Sequence, residues 1–224
     1  MILVTGNQHK LSEFKRLIPD ARWETLGEWE VREHGAQGTE IIEDADSFAG
    51  NAILKARAGW ERTGIISVAD DSGLCVDALD GAPGIYSARY APGTDIDRYQ
   101  ALLDALRAIP HATRSAAFHC ALAVCGLSEE QKRTLDQLEF HLYQEEGASV
   151  RWIDDCLVVI GICPGEIRHE PCGEEGFGYD PIFNLDYGQS FASLSGNEKD
   201  QHSHRGRALR TLARILNEKD IYFP

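Results

Sequence analysis

The chain has 224 residues, 43% of them hydrophobic and 26% charged, with 36 acidic against 22 basic side chains and a formal net charge of −14. That length and balance suit one globular domain with a substantial core, while the acidic excess excludes the basic stripe of a nucleic-acid-binding surface. No apolar run approaches a membrane span, and the opening MILVTGNQHK carries neither a basic leader nor a cleavage site, which predicts a cytoplasmic protein.

In chain order, ILVTG (2–6) reads as a first strand. Lys10 to Ile18 reads as a short helix, with Leu11, Phe14, Leu17 and Ile18 on one face. Residues 20–26 suit a second strand, and the polar, acidic stretch 27–45 a loop. A second helix is predicted over 46–62. Asp46 or Ser47 can cap it, and Phe48, Ala52, Ile53 and Ala56 give it a stripe. The apolar run IISVA (65–69) reads as a strand that ends at the pair Asp70–Asp71, followed by a Gly- and Pro-rich stretch.

Asp95 to Ala108 forms another amphipathic pattern, closed by Pro110. SAAFHCALAVCGL (115–127) reads as a long, largely buried strand, and DCLVVIGIC (155–163) as another, with PGEIRHEP turning back. The charged region between them, about 126–155, reads as an enlarged hairpin or an insertion within a single domain spanning 1–224. GEEGFGYDP (173–181) is loop-like. Residues 203–217 close the pattern as a helix, with Ala208, Leu209, Leu212, Ile215 and Leu216 facing inward. Strands and helices mix without strict alternation, so the expected class is α/β with a mixed sheet. The six cysteines contain no CxxC pair and lie mostly in apolar runs, which predicts buried, reduced thiols.

Several short segments can carry chemistry. TGNQHK (Thr5, Gly6, Asn7, Gln8, His9, Lys10) joins a strand to a helix, and the amides of a helix N-terminus suit phosphate. It is not a Walker loop, because GxxxxGK[ST] is absent. Lys55 sits on an otherwise apolar helix face, where a lone lysine ordinarily reaches out to water. Asp70 and Asp71 follow a strand end, where α/β proteins place ligands. Their oxygens are hard ligands for Mg²⁺, and a carboxylate can also accept a proton from water. GFGYDP offers Phe177, Gly178, Tyr179 and Asp180, with an aromatic face able to stack on a base. Ser203, His204 and Arg205 open the final helix with donors. His202 and His204 make an H-x-H without further zinc ligands.

Taken together and in this order, TGN with Lys10, Asn51-Ala52 with Lys55, ADDSGL with GAPGIYSARYA, FGYDPIF, and Lys199 with SHRGRAL resemble the inosine triphosphate pyrophosphatase family over nearly the whole chain. The resemblance implies an elongated α/β fold with a mixed sheet, two lobes around a nucleotide cleft, and a homodimer. It implies Mg²⁺-dependent hydrolysis of the deaminated purine nucleotides ITP, dITP and XTP to a monophosphate and pyrophosphate. Residues 5–10 would then bind phosphate, and Lys55 would approach the triphosphate. Asp71 would act as proton acceptor and metal ligand with Asp70 in support, and Ser72 would contact substrate. Phe177 to Asp180 would form the base pocket, with Lys199, His204 and Arg205 completing it. Donors from Arg205 or the His204 backbone would reject ATP.

Two departures mark this chain. SFAGNA places Gly50 where the family usually has Glu, and the metal-binding Glu that the resemblance implies in the preceding loop has no single counterpart, Glu43 being chosen with Glu40 and Asp44 as alternatives. The other readings are a related pyrophosphatase acting on modified pyrimidine nucleotides and a nucleotide-binding sensor that does not cleave.

Overall fold

The computed structural model describes residues 1–218 apart from 37, 110, 186 and 187; Pro110, expected to close a helix, therefore lies outside the described residues. Among these the sheet has seven strands. β1 (Ile2–Leu3) pairs in parallel with both β2 (Glu24–Thr25) and β3 (Ser67–Val76). β4 (Ser115–Cys125), β5 (Ala148–Ile153) and β6 (Cys156–Ile167) extend it antiparallel, in the spatial order β2-β1-β3-β4-β6-β5, and β7 (Phe183–Asn184) pairs with the end of β6. This is the mixed α/β sheet expected from the sequence.

Alternation along the strands sorts the core. Val68, Leu74 and Val76 of β3 lie opposite Val124, Phe118 and Ala116 of β4 and share one face with them. α1 (Gln8–Leu17) and α7 (His204–Glu218) cover one end of that face with Leu11, Phe14, Leu209, Leu212 and Ile215. α4 (Asp95–Arg107) covers the other end with Leu102, Leu103 and Leu106. The opposite face carries Ala69, Ala121 and Ala123 and receives α3 (Phe48–Thr63) through Ala52, Ile53 and Ala56. α7 approaches β6 at Gly161 so closely that a Cβ there would lie 2.0 Å from the His204 carbonyl oxygen.

The structure corrects several expectations. Residues 27–45 are not all loop, because α2 (Leu26–His34) occupies the first part. Thr25 Oγ1 accepts from Glu28 N at 3.2 Å, and the Glu28 carboxylate accepts from Thr25 N at 2.8 Å, a reciprocal N-terminal cap. The strand expected over 20–26 shrinks to Glu24–Thr25. Region 126–155 holds α5 (Glu129–Asp136) and β5, and β6 runs through PGEI instead of turning there. α6 (Gly196–His202) precedes α7. The cysteines are not uniformly buried and reduced. Antiparallel register sets Val124 opposite Leu157, so the next pair outward, Cys125 and Cys156, is bridged by a disulfide. Cys172 is exposed and Cys75 half-buried. Among the described residues, no helix is long and apolar enough to cross a membrane.

Candidate active site

The site follows from a strand that stops early. β1 ends at Leu3, and after Val4 N bonds Val68 O at 2.8 Å the chain turns away into α1. β3 continues, still paired with β4, so Asp70 and Asp71 lie within the strand and not after it, as the sequence suggested. Their charge ends the apolar run but not the ladder, in which they face Leu122 and Ala121. Beside this edge opens a cleft of about 1090 Å³. Residues 5–10, Glu43, Lys55, 70–72, 177–180, Lys199, His204 and Arg205 all line it; Glu40 does too, whereas Asp44 is not among its lining residues.

Asp70 points toward α1 and α7. Its Oδ2 meets Lys10 Nζ at 3.0 Å and Arg205 Nε at 3.0 Å, and Ser72 Oγ lies 3.3 Å away. Arg205 also donates to Ser72 Oγ at 2.8 Å and to Glu13 Oε2 at 2.5 Å. Burial alone would push the Asp70 carboxyl up, but Lys10 and Arg205 together outweigh it and hold the group well below the ordinary range. Asp70 Oδ1 and His204 Nδ1 are buried with no hydrogen-bond partner among the described residues. Burial, then Arg205 and Lys199, keep the His204 imidazole neutral.

Asp71 points the other way, toward α3. Asn51 Nδ2 donates to its Oδ2 at 3.1 Å, and Lys55 Nζ stands 3.7 Å from its Oδ1 and 2.9 Å from Glu43 Oε2. Here desolvation wins over Lys55 and Asn51, with Glu43 adding to it, and the carboxyl is raised. Two adjacent carboxylates are thus pushed in opposite directions, the pattern that separates a permanently charged group from one that can exchange a proton. At Gly50, a Cβ would lie 2.7 Å from Ala45 Cβ, so the preceding loop lies against this glycine.

At the other end of the cleft, Lys199 Nζ bonds Asp180 Oδ2 at 2.5 Å and lies 4.6 Å from the centroid of the Phe177 ring. Asp180 Oδ2 also accepts from Phe177 N at 2.8 Å. Burial raises the Asp180 carboxyl against the pull of Lys199. His9 stacks on Phe177 with centroids 5.3 Å apart, and His204 stacks on Phe118. Tyr179 is anchored through its hydroxyl to Ser87 O, and Gly178 N donates to Asp95. In the first loop, Asn7 Oδ1 accepts from the amides of His9 and Lys10, so the side chain of the loop itself occupies two amides expected to be open to phosphate.

Sequence reading put forward neither Glu13 nor Asn51 as a site residue. Glu13 stands three residues after Lys10 on the same helical face, and Asn51 four before Lys55; that spacing was the available signal. Neither partnership across elements is visible in the chain order.

A mixed sheet with a cleft at a strand that ends early, where a split pair of aspartates meets Lys10, Lys55 and Arg205, defines a phosphate-handling α/β protein. A family model described as the Ham1 family matches residues 1–215, and the chain belongs to that family. It is 39% identical over 222 residues to a dITP/XTP pyrophosphatase of Yersinia pseudotuberculosis serotype I, covering 97% of this chain and 98% of that one. It is 42% identical over 213 residues to a dITP/XTP pyrophosphatase of Gloeobacter violaceus, covering 95% and 91%. The structure of a HAM1 protein from Coxiella burnetii superposes with a TM-score of 0.78 at 36% identity, covering 97% of this chain and 98% of that one.

Proposed function

We propose that this chain is a nucleoside triphosphate pyrophosphatase that hydrolyses ITP, dITP and XTP to the monophosphate and pyrophosphate. On this reading it removes deaminated purine nucleotides from the pool, in the cytoplasm, as a homodimer that uses Mg²⁺. The dimer, the compartment and the metal rest on the family resemblance. The names of the relatives support the substrate class, and the acidic net charge favours a free nucleotide over a nucleic acid. The observation that carries the chemistry is the opposite facing of Asp70 and Asp71 at one cleft edge.

The residues fit a metal held jointly with substrate. Asp71 and Glu43 converge on Lys55, and two carboxylates with phosphate oxygens suit Mg²⁺, which retains water and needs no all-protein cage. Among the described residues no group of three or more His, Cys, Asp or Glu side chains gathers. When bound, the ion supplies neutralisation of charge on the phosphates. The chain does the rest. Residues 5–10 and the ammonium groups of Lys10 and Lys55 receive the triphosphate. Asp71, with its raised carboxyl, accepts the proton of the attacking water. Asp70 stays ionised and fixes Lys10 and Arg205.

Phe177 offers its face to the base. Lys199, a donor without acceptor capacity, favours the 6-oxo group of hypoxanthine and xanthine over the 6-amino group of adenine. Arg205, assigned to that task from the sequence alongside the His204 backbone as its alternative, has its guanidinium engaged by Asp70, Ser72 and Glu13. The test is pyrophosphate release from ITP, XTP, GTP and ATP, with Mg²⁺ and with EDTA, for wild type and Asp71→Asn. Metal-dependent release from ITP and XTP, lost in the variant, is expected. Binding of ITP without turnover in any metal overturns the reading in favour of a sensor.

A further inference from the structure

The cleft extends to Gly38, Thr39, Glu40, Ile41 and Glu43, which belong to the run 38–45, a stretch with no helix or strand. Such a run loses considerable backbone entropy if it is to hold one carboxylate in place. It is tied at both ends. Glu30 of α2 is buried, at 6% exposure. Its Oε2 accepts from Gly38 N at 2.7 Å, and its Oε1 accepts from Arg62 Nη1 of α3 at 2.9 Å. Arg62 Nη2 in turn donates to Thr39 O at 2.9 Å. A Cβ at Gly38 would lie 2.4 Å from Glu30 Oε1, so a side chain there would have to displace the carboxylate from the amide it accepts. At the far end Asn51 Oδ1 accepts from Ala45 N at 3.0 Å, while the same carboxamide holds Asp71.

We propose that Glu30 and Arg62 are positioning residues that latch residues 38–39 across α2 and α3 and so set Glu43 against Lys55 and beside Asp71. An apolar residue at position 30 would pack against the core without the desolvation penalty of a buried charge. The carboxylate's hydrogen bonds go instead to the loop amide and to the arginine that holds the loop carbonyl. Glu30 and Arg62 themselves line the cleft, but their hydrogen bonds run to each other and to residues 38 and 39, so their loss is expected to act through the loop that carries Glu43. The inference rests on the proposed pyrophosphatase reading for its effect on turnover, though not for its effect on the loop.

The experiment has two arms, run on wild type, Arg62→Ala, Arg62→Lys and Glu30→Gln, with melting temperature recorded to confirm folding. In the first, amide hydrogen exchange is followed in the protein without nucleotide or metal. Arg62→Ala is expected to speed exchange across 39–44 while amides of α3 and β3 keep wild-type rates. In the second, kcat, KM for ITP and the Mg²⁺ midpoint are measured. Arg62→Ala should lower kcat and raise the midpoint by about 10–100-fold, the usual effect of losing support behind a ligand, with KM for ITP little changed. Arg62→Lys should recover part of both. Exchange in 39–44 equal to wild type in folded Arg62→Ala overturns the latch, and so does faster exchange with unaltered kcat and midpoint. If wild type itself releases no pyrophosphate, the functional reading fails and the exchange arm decides the latch alone.

Discussion

Asp70 and Asp71 are consecutive in β3, yet their side chains leave opposite faces of the sheet, one into a cage of Lys10 and Arg205 and the other toward Asn51 and Lys55. Burial works against both charges, and only at Asp70 do the cations prevail. The two therefore answer to different demands. Asp70 holds the site together, and Asp71 remains chemically available.

Asp70→Asn and Asp71→Asn should separate stability from turnover. Asp70→Asn takes the carboxylate from Lys10 and leaves Arg205 with Glu13 alone in a buried setting, and should lose about 3–5 kcal/mol at pH 7. Because folding lowers the Asp70 pKa, its stabilisation is present above about pH 4 and is lost as pH falls below that. Asp71→Asn removes a carboxylate whose ionised form the fold disfavours, so its melting temperature should equal or exceed that of wild type while pyrophosphate release disappears. Urea denaturation and a turnover assay on the two proteins check the pair. Equal destabilisation by both substitutions would contradict it.

His204 gives a pH dependence of known sign. Its folded pKa is held well below the ordinary value, first by burial and then by Arg205 and Lys199. As pH falls below about 6.5 the unfolded chain takes up a proton that the folded chain refuses, and stability falls by up to about 1.4 kcal/mol per pH unit from this group. His204→Phe can keep the stack on Phe118, whose ring centroid lies 4.8 Å away, and should flatten the slope between pH 7 and 5. Parallel slopes for the two proteins in denaturant titrations would refute the assignment.

Much of this was legible in the chain because it is local. Apolar spacing marked the helices that became α1, α3, α4 and α7, and TGNQHK, ADDSG, GFGYDP and SHRGR marked the segments that meet in the cleft. What escaped was decided by contacts between distant residues. The strand reading stopped at Asp70 because two charges ended the apolar run, and only Lys10, Arg205 and Lys55 make those charges tolerable inside a sheet. α2 was hidden by its polar composition, although Thr25 and Glu28 already had the spacing of a reciprocal cap. The Cys125–Cys156 bridge depends on strand register, which a separation of 31 residues does not reveal.

Gly161 couples packing to the site. Its missing side chain lets the first turn of α7 rest on β6, with the His204 carbonyl and the Ala208 amide as the atoms a Cβ would strike. Gly161→Ala should cost about 1–3 kcal/mol through overpacking and should also reduce turnover, since His204 and Arg205 ride on that turn. Calorimetry with a parallel ITP assay tests it; lost stability with full activity would show that α7 absorbs the strain elsewhere.

Lys199 and Asp180 form a pair that should behave as a unit. Lys199→Ala leaves Asp180 buried beside Phe177 without its cation and should cost about 3–5 kcal/mol, whereas adding Asp180→Asn to it should return part of that loss. A double-mutant cycle measures the coupling, and simple additivity would mean the two residues act independently.

The disulfide joining the ends of β4 and β6 encloses α5 and β5 in a covalent ring. A protease that nicks the partly exposed stretch around Glu139 to Glu146 would therefore not release two pieces. The halves would stay joined by sulfur, migrating together on a denaturing gel until a reductant is added. In a reducing compartment such as the proposed cytoplasm the sulfur link would open, and the β4–β6 ladder would be what keeps a nicked molecule's site assembled.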